Sequence, residues 1–200
     1  LNVVGIGALP AGVTYDAGFK AFTLDPANAA FQNLAAGEQR TVTVSYGVSD
    51  GVATTPASAS WTVFGTNDAP VVTGAVVGSA TEDGASSTLN ALANASDVDS
   101  GAVLGVVDIA PLPDCVTYDA AAQTFTLDAG NPAFQNLAAG QTTTVTVSYG
   151  GSDGAATTPA SVSWTVTGTN DAPVVTGAVT GAAAEDGVSS TLTALANASD

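Results

Sequence analysis

The chain has 200 residues, enough to bury a real core, and sets 18 acidic residues against two basic ones, Lys20 and Arg40, for a net charge of -16. That balance repels nucleic-acid phosphates and anionic lipid and makes cations the natural counterpart, while 46% hydrophobic residues argue against disorder. With no His, no Met and one Cys, imidazole bases, zinc clusters and disulfide frameworks are not available, and no apolar run is long enough to span a membrane.

Internal repetition dominates the sequence. Trp61 and Trp164, Tyr46 and Tyr149, Phe31 and Phe134, and Leu9 and Leu112 each lie 103 positions apart. Residues 1–97 align with residues 104–200 without insertion, and about three quarters of the aligned positions are identical. This period suits a whole small domain rather than a short solenoid repeat.

Within one period, short segments rich in Val, Thr, Tyr, Phe and Trp alternate with clusters of Gly, Pro, Asn, Asp and Ser, which predicts strands and turns. In chain order the pattern predicts strands over 71–75, 87–92, 103–110, 115–119, 123–128, 142–150 and 160–168. The stretch "PAFQNLAAG" (132–140) is expected to hold a short helical turn. "TTTVTVSYG" places Val145, Val147 and Tyr149 on one face and Thr144, Thr146 and Ser148 on the other. "ASVSWTVTG" repeats this through Val162, Trp164 and Val166, and "GSDGAATTP" joins the two as a hairpin. Seven strands per period with no amphipathic helix predict an all-β fold of tandem antiparallel β-sandwiches.

The unit "GTNDAPVVTG" occurs identically at 65–74 and 168–177. Pro70 and Pro173 restrict the backbone there, so the period is cut at this unit: a partial repeat over 1–69, a complete one over 70–172 and the first strands of another over 173–200. Two readings follow. The chain is a window on a long array, or its final strands complete the open sandwich of another molecule in a head-to-tail fibre.

Acidic residues recur where the strands end: Asn67 and Asp68, Glu82 and Asp83 in "TEDG", Asp97 and Asp99 in "SDVDSG", and Asp50 and Asp153 in "SDG". Calcium takes six to eight oxygen ligands, which such a set can supply, and in extended backbone Asp97 and Asp99 would project to one side. The competing reading is that Asp, Asn and Gly simply make soluble turns. Trp61, Trp164, Tyr15 and Tyr118 are expected in the core or against a sheet face, and Cys115, which replaces Gly12, as a small thiol without a partner. Asn94 and Asn197 match a glycosylation sequon. Acidic pairs without a cleft do not suggest a hydrolase, so the expectation is a protein that is not an enzyme.

"LPAGVTYDA", "FTLDPANAAFQNLAAGEQRTVTVSYGVSDG" and "WTVFGTNDAPVV" resemble the VCBS repeat of giant bacterial adhesins exported by type I secretion, including RTX adhesins, over the whole chain. Those repeats resemble cadherin domains, immunoglobulin-like sandwiches with calcium between successive units. The resemblance implies a calcium cofactor and a secreted, cell-surface extender supporting adhesion and biofilm formation, with neighbouring repeats as partners. It implies one ion site formed by Asn67 and Asp68 with Asp97, Asp99 and Asp153. A second would combine Glu82 with Asn170, Asp171 and Asp200. The chain departs from cadherins at Leu34-Ala35-Ala36-Gly37 and Leu137-Ala138-Ala139-Gly140, where cadherins carry Leu-Asp-Arg-Glu, so fewer ions per junction, or weaker binding, are expected. A calcium-dependent glycan- or protein-binding module is the alternative. The loops that differ between copies, near 18–21 and 38–40, do not resemble a pocket.

Overall fold

The computed structural model describes residues 1–200 and is all-β. Sixteen strands follow in chain order: β1 (Asn2–Val4), β2 (Val13–Asp16), β3 (Ala21–Leu24), β4 (Gln39–Ser49), β5 (Thr54–Phe64), β6 (Val71–Val72), β7 (Val76–Thr81), β8 (Ser87–Asn90), β9 (Ala95–Ser96), β10 (Gly105–Val107), β11 (Val116–Asp119), β12 (Thr124–Leu127), β13 (Thr142–Ser152), β14 (Thr157–Thr167), β15 (Val174–Val175) and β16 (Ala198–Ser199).

The middle repeat is a two-sheet sandwich. One sheet runs β10-β13-β14-β7 and the other β11-β12-β8, with β6 and β9 paired beside them. The period-2 pattern of β13 and β14 turns Val147, Tyr149, Val162, Trp164 and Val166 inward. They meet Phe125 and Leu127 from β12, and Trp164, Val162, Val166, Phe125 and Leu127 have no solvent exposure. The outward face is lined with hydroxyls, among them the Thr146–Ser163 pair across the ladder. The indole Nε1 of Trp164 donates to Ser87 Oγ of β8 at 3.2 Å, and the buried Tyr149 hydroxyl donates to Ala91 O in the turn that follows β8, so both large aromatics satisfy their polar atoms.

Three expectations need correction. β7 was not predicted: the expected first strand over 71–75 ends after Val72, and a separate strand begins at Val76. β7 pairs with β14 in parallel, Val76 opposite Val162 through Thr81 opposite Thr167, so the sandwich is not wholly antiparallel. Its inward positions after Val76 are small, Gly78 and Ala80, because it lies across the indole. A Cβ added at Gly78 would sit 3.1 Å from Trp164 Cδ1 and from Leu89. Finally, "PAFQNLAAG" forms successive turns rather than a helical one: Phe134 N donates to Asn131 O and Leu137 N to Phe134 O.

The first repeat has the same plan with fewer strands, β1-β4-β5 facing β2-β3. No strand covers the edge of β5 that corresponds to the β7 side of β14, or the edge of β3 that corresponds to the β8 side of β12. Its buried core is accordingly smaller, Val13, Phe31, Val42, Val44 and Val63, and Trp61, Phe22 and Leu24 are only partly buried where their counterparts have no exposure. In residues 173–200 the β15–β16 pair reproduces β6–β9. The residues between them, which correspond to β7 and β8, are exposed and form no strand.

Candidate functional site

The first copy of "GTNDAP" sits between the two sandwiches and the second at the end of the middle one, and the local backbone explains why their Gly is needed. A Cβ at Gly65 would fall 2.2 Å from Ala35 O and 2.3 Å from Leu34 O, and one at Gly168 2.5 Å from Ala138 O. The "NLAAG" turn therefore folds directly onto this glycine, held by Gly65 N donating to Glu38 O and Gly168 N to Gln141 O. The contact, not an unusual φ, excludes a side chain.

At the first junction the structure brings together all five residues expected there. Asn67 Nδ2 donates to Asp153 Oδ2 at 2.9 Å, and Asp68 N donates to Asp99 Oδ2 at 2.9 Å. Asp99 N in turn donates to Asp97 Oδ1 at 2.9 Å. Asp97 and Asp99 thus lie in a side-chain-capped turn rather than in the extended backbone expected from their spacing. Asp153 caps its own hairpin, accepting from Ala155 N and Ala156 N at 2.7 Å each. The Ala156 amide, then the Asn67 side chain and the Ala155 amide, hold its carboxyl below the usual carboxylate value. Asp50 at the matching hairpin of the first repeat is also lowered, by the amides of Ala53 and Val52, but it has no Asn beside it.

At the second junction Glu82 is 1% exposed, yet it carries a carboxylate. Its Oε2 accepts from Thr169 N at 3.0 Å, beside Asn170. Asn170 and Asp171 line a cleft of about 500 Å³ with Asp200, Gln135, Asn136, Ala138 and Ala139, and Glu82 is not part of its wall.

The decisive polar fact is what these carboxylates lack. Glu82 Oε1, Asp97 Oδ2 and Asp99 Oδ1 are buried without any hydrogen-bond partner. Neither cation of the chain reaches them: Lys20 Nζ donates to Leu1 O and Asn2 Oδ1, and Arg40 to Ala30 O. Buried, unpaired carboxylate oxygens are costly, and a divalent cation is the ligand whose chemistry answers them. No three acidic side chains converge closely enough to ligate an ion by themselves, so a complete coordination shell would draw on Asn and backbone oxygens too. On the chemistry of the donor set, the residues fit calcium.

Three contributions were not legible as site residues. Asn33 O accepts from Ser100 N across the first junction, Gln135 Nε2 donates to Asp83 Oδ1 beside Glu82, and Thr169 offers its amide. Exact repetition of "FQNLAAG" at 31–37 and 134–140 was the available signal. The remaining candidates have structural duties. Cys115 is buried in the core, and Asn94 Nδ2 donates to Ala75 O at 2.8 Å with Asn197 repeating the bond to Ala178 O at 3.0 Å. Tyr118 and Tyr15 each pack against a Phe ring, at centroid distances of 4.7 and 4.8 Å.

The sequence matches no protein-family model and no curated protein. Among solved structures, it is similar to human protocadherin-24 EC1-2 at 17% identity, covering 85% of this chain and 83% of that one, with a TM-score of 0.46. It is similar to the protocadherin γB4 extracellular domain at 20% identity (87% and 29% covered, TM-score 0.44). A family 107 endo-fucoidan hydrolase matches at 19% identity (84% and 24% covered, TM-score 0.37). The chain spans about a quarter of that hydrolase and under a third of the γB4 chain. The all-β sandwich architecture stands on the strand pairing itself.

Proposed function

We propose that the chain is a stretch of a calcium-stiffened extender, a rod of tandem sandwiches in a secreted bacterial surface adhesin of the VCBS type, that holds a distal adhesive part away from the cell. It is read as non-catalytic. The observation that carries the proposal is the set of buried carboxylate oxygens without partners, gathered at the repeat junctions and nowhere near a cation of the chain. Asn67, Asp68, Asp97, Asp99 and Asp153 would hold an ion at the first junction, and Glu82, Asn170, Asp171 and Asp200 at the second. When bound, calcium supplies charge neutralisation and a rigid set of oxygen contacts between neighbouring sandwiches. The residues themselves do the positioning: Asp99 already accepts from the linker amide of Asp68, and Asp153 from the linker side chain of Asn67. Repetition supports an extender because near-identical copies add length without adding chemistry.

The test is calcium titration followed by small-angle scattering and thermal melting. At free calcium a hundredfold above the dissociation constant the bound state gains about 2.7 kcal/mol, so the melting temperature should rise by roughly 10 °C, with a larger maximum dimension. Identical scattering and melting curves in calcium and chelator would overturn the reading.

A further inference from the structure

The enclosed carboxylates at the junctions are each half fixed. One oxygen takes a backbone amide, from Thr169 for Glu82 Oε2, from Asp99 for Asp97 Oδ1 and from Asp68 for Asp99 Oδ2, while the other is left without a partner. An oxygen is presented in this way only where the loop that carries it cannot swing.

Glu82 and Asp83 form the corner at which the chain leaves one sheet for the other. Glu82 N donates to Thr167 O at the end of the β7–β14 ladder, and Asp83 N donates to Ala129 O in the loop after β12. Gly84 N closes the corner on Thr81 O, and Asp83 takes a φ of 56°, a left-handed conformation that Asp tolerates. From outside the corner, Gln135 Nε2 donates to Asp83 Oδ1 at 2.9 Å. Gln135 is itself exposed, but its turn is anchored: Phe134 before it and Leu137 after it are buried in the core. Gln135 also lines the cleft of Asn170 and Asp171, whose wall Glu82 does not reach, so one side chain is shared by the corner and the cleft. The matching turn of the first repeat holds an acidic loop too, through Asn33 O, which accepts from Ser100 N next to Asp99.

We propose that Gln135 is a positioning residue of the second junction. On the calcium reading given under Proposed function, it acts through Asp83 rather than on the ion, tying the Glu82 corner to the cleft wall so that the free Glu82 oxygen is offered without first ordering a loop. A site whose donors are already held loses less conformational freedom when it binds. Groups that orient a metal ligand are worth about ten- to a hundredfold in affinity when removed.

Calorimetric calcium titration of the 200-residue chain tests this, together with the luminescence lifetime of terbium in its place, read in H2O and D2O to count the water left on the ion. Glu82→Gln marks the share of the response that belongs to the second junction. Gln135→Ala should weaken that share about tenfold and leave more water on terbium, with the melting temperature in chelator nearly unchanged, because the lost bond is exposed. Asp83→Asn keeps an acceptor for Gln135 and removes the charge, so it should cost far less than Gln135→Ala. Binding by Gln135→Ala equal to the parent's, or a melting temperature lowered equally in calcium and chelator, overturns the positioning role and leaves the calcium reading standing. A loss in Asp83→Asn as large as in Gln135→Ala makes Asp83 a direct ligand and also overturns it. A parent chain whose calcium uptake is unaffected by Glu82→Gln overturns both this role and the reading of the second junction.

Discussion

Glu82 concentrates the tension of this molecule in one side chain, since it is fully enclosed, with one carboxyl oxygen satisfied by the Thr169 amide and the other reached by no donor or cation. Replacing it with Gln keeps the shape and removes the charge. In chelator, Glu82→Gln should therefore melt several degrees above the parent chain, because an uncompensated buried carboxylate is relieved. In calcium it should lose most of the ion-dependent gain at that junction. Melting curves in the two buffers check both directions, and a drop in chelator equal to the drop in calcium would mean that the carboxylate is merely structural. Asp153 gives a pH test whose sign follows from its lowered native pKa. Its contribution is present above the unfolded value of about 3.9 and is lost as pH falls through the native value. The stability difference between the parent and Asp153→Asn, measured by denaturant titration, should thus exist at pH 6 and fade below pH 4. The Asn-Asp-Ala-Pro and Asp-x-Asp residues stand out in the sequence because they recur at fixed positions, and the hydrogen bonds of Asp68 to Asp99 and of Asn67 to Asp153 link them in space. Asn33 O and the Thr169 amide were not, since a backbone atom leaves no mark on residue type.

At the scale of elements, the paired copies form a built-in control. Trp164 is sealed by β7 and β8 while Trp61 is not, so Trp164→Ala should cost about 3–5 kcal/mol and Trp61→Ala clearly less. Chemical denaturation of each variant, with the remaining Trp as reporter, separates them. Gly168→Ala should be costly for a different reason, since its methyl would collide with the Ala138 carbonyl, and the turn carrying Ala138 and Ala139 must then move out of the cleft wall. The long hairpins β4–β5 and β13–β14 were readable because their Val, Tyr and Trp residues alternate with Thr and Ser through part of each eleven-residue strand. β7 was not, because tight passage over the indole demands Gly78 and Ala80, residue types that sequence patterns assign to turns and loops. The turns of "FQNLAAG" misled in the opposite sense: Leu and Ala suggest helix, but the loop is pinned by hydrogen bonds to the glycine of the next junction.

Across the whole molecule, a net charge of -16 with only two cations means that folding brings like charges together almost everywhere. Without calcium, raising sodium chloride from 10 to 150 mM shortens the screening length from about 30 to about 8 Å and should raise the melting temperature. Calcium at matched ionic strength should add a further gain that sodium cannot reproduce, and melting in both salts checks this. The parallel pairing of β7 with β14 has a mechanical consequence. β7 follows the leading linker after the short β6, β14 enters the trailing linker, and the two strands run the same way. Tension applied through the linkers therefore pulls the two strands past each other lengthwise, loading all six register pairs at once instead of peeling them one by one. A repeat built this way resists stretching through collective shear. In the extender proposed above, that resistance would keep each sandwich closed under a lengthwise load.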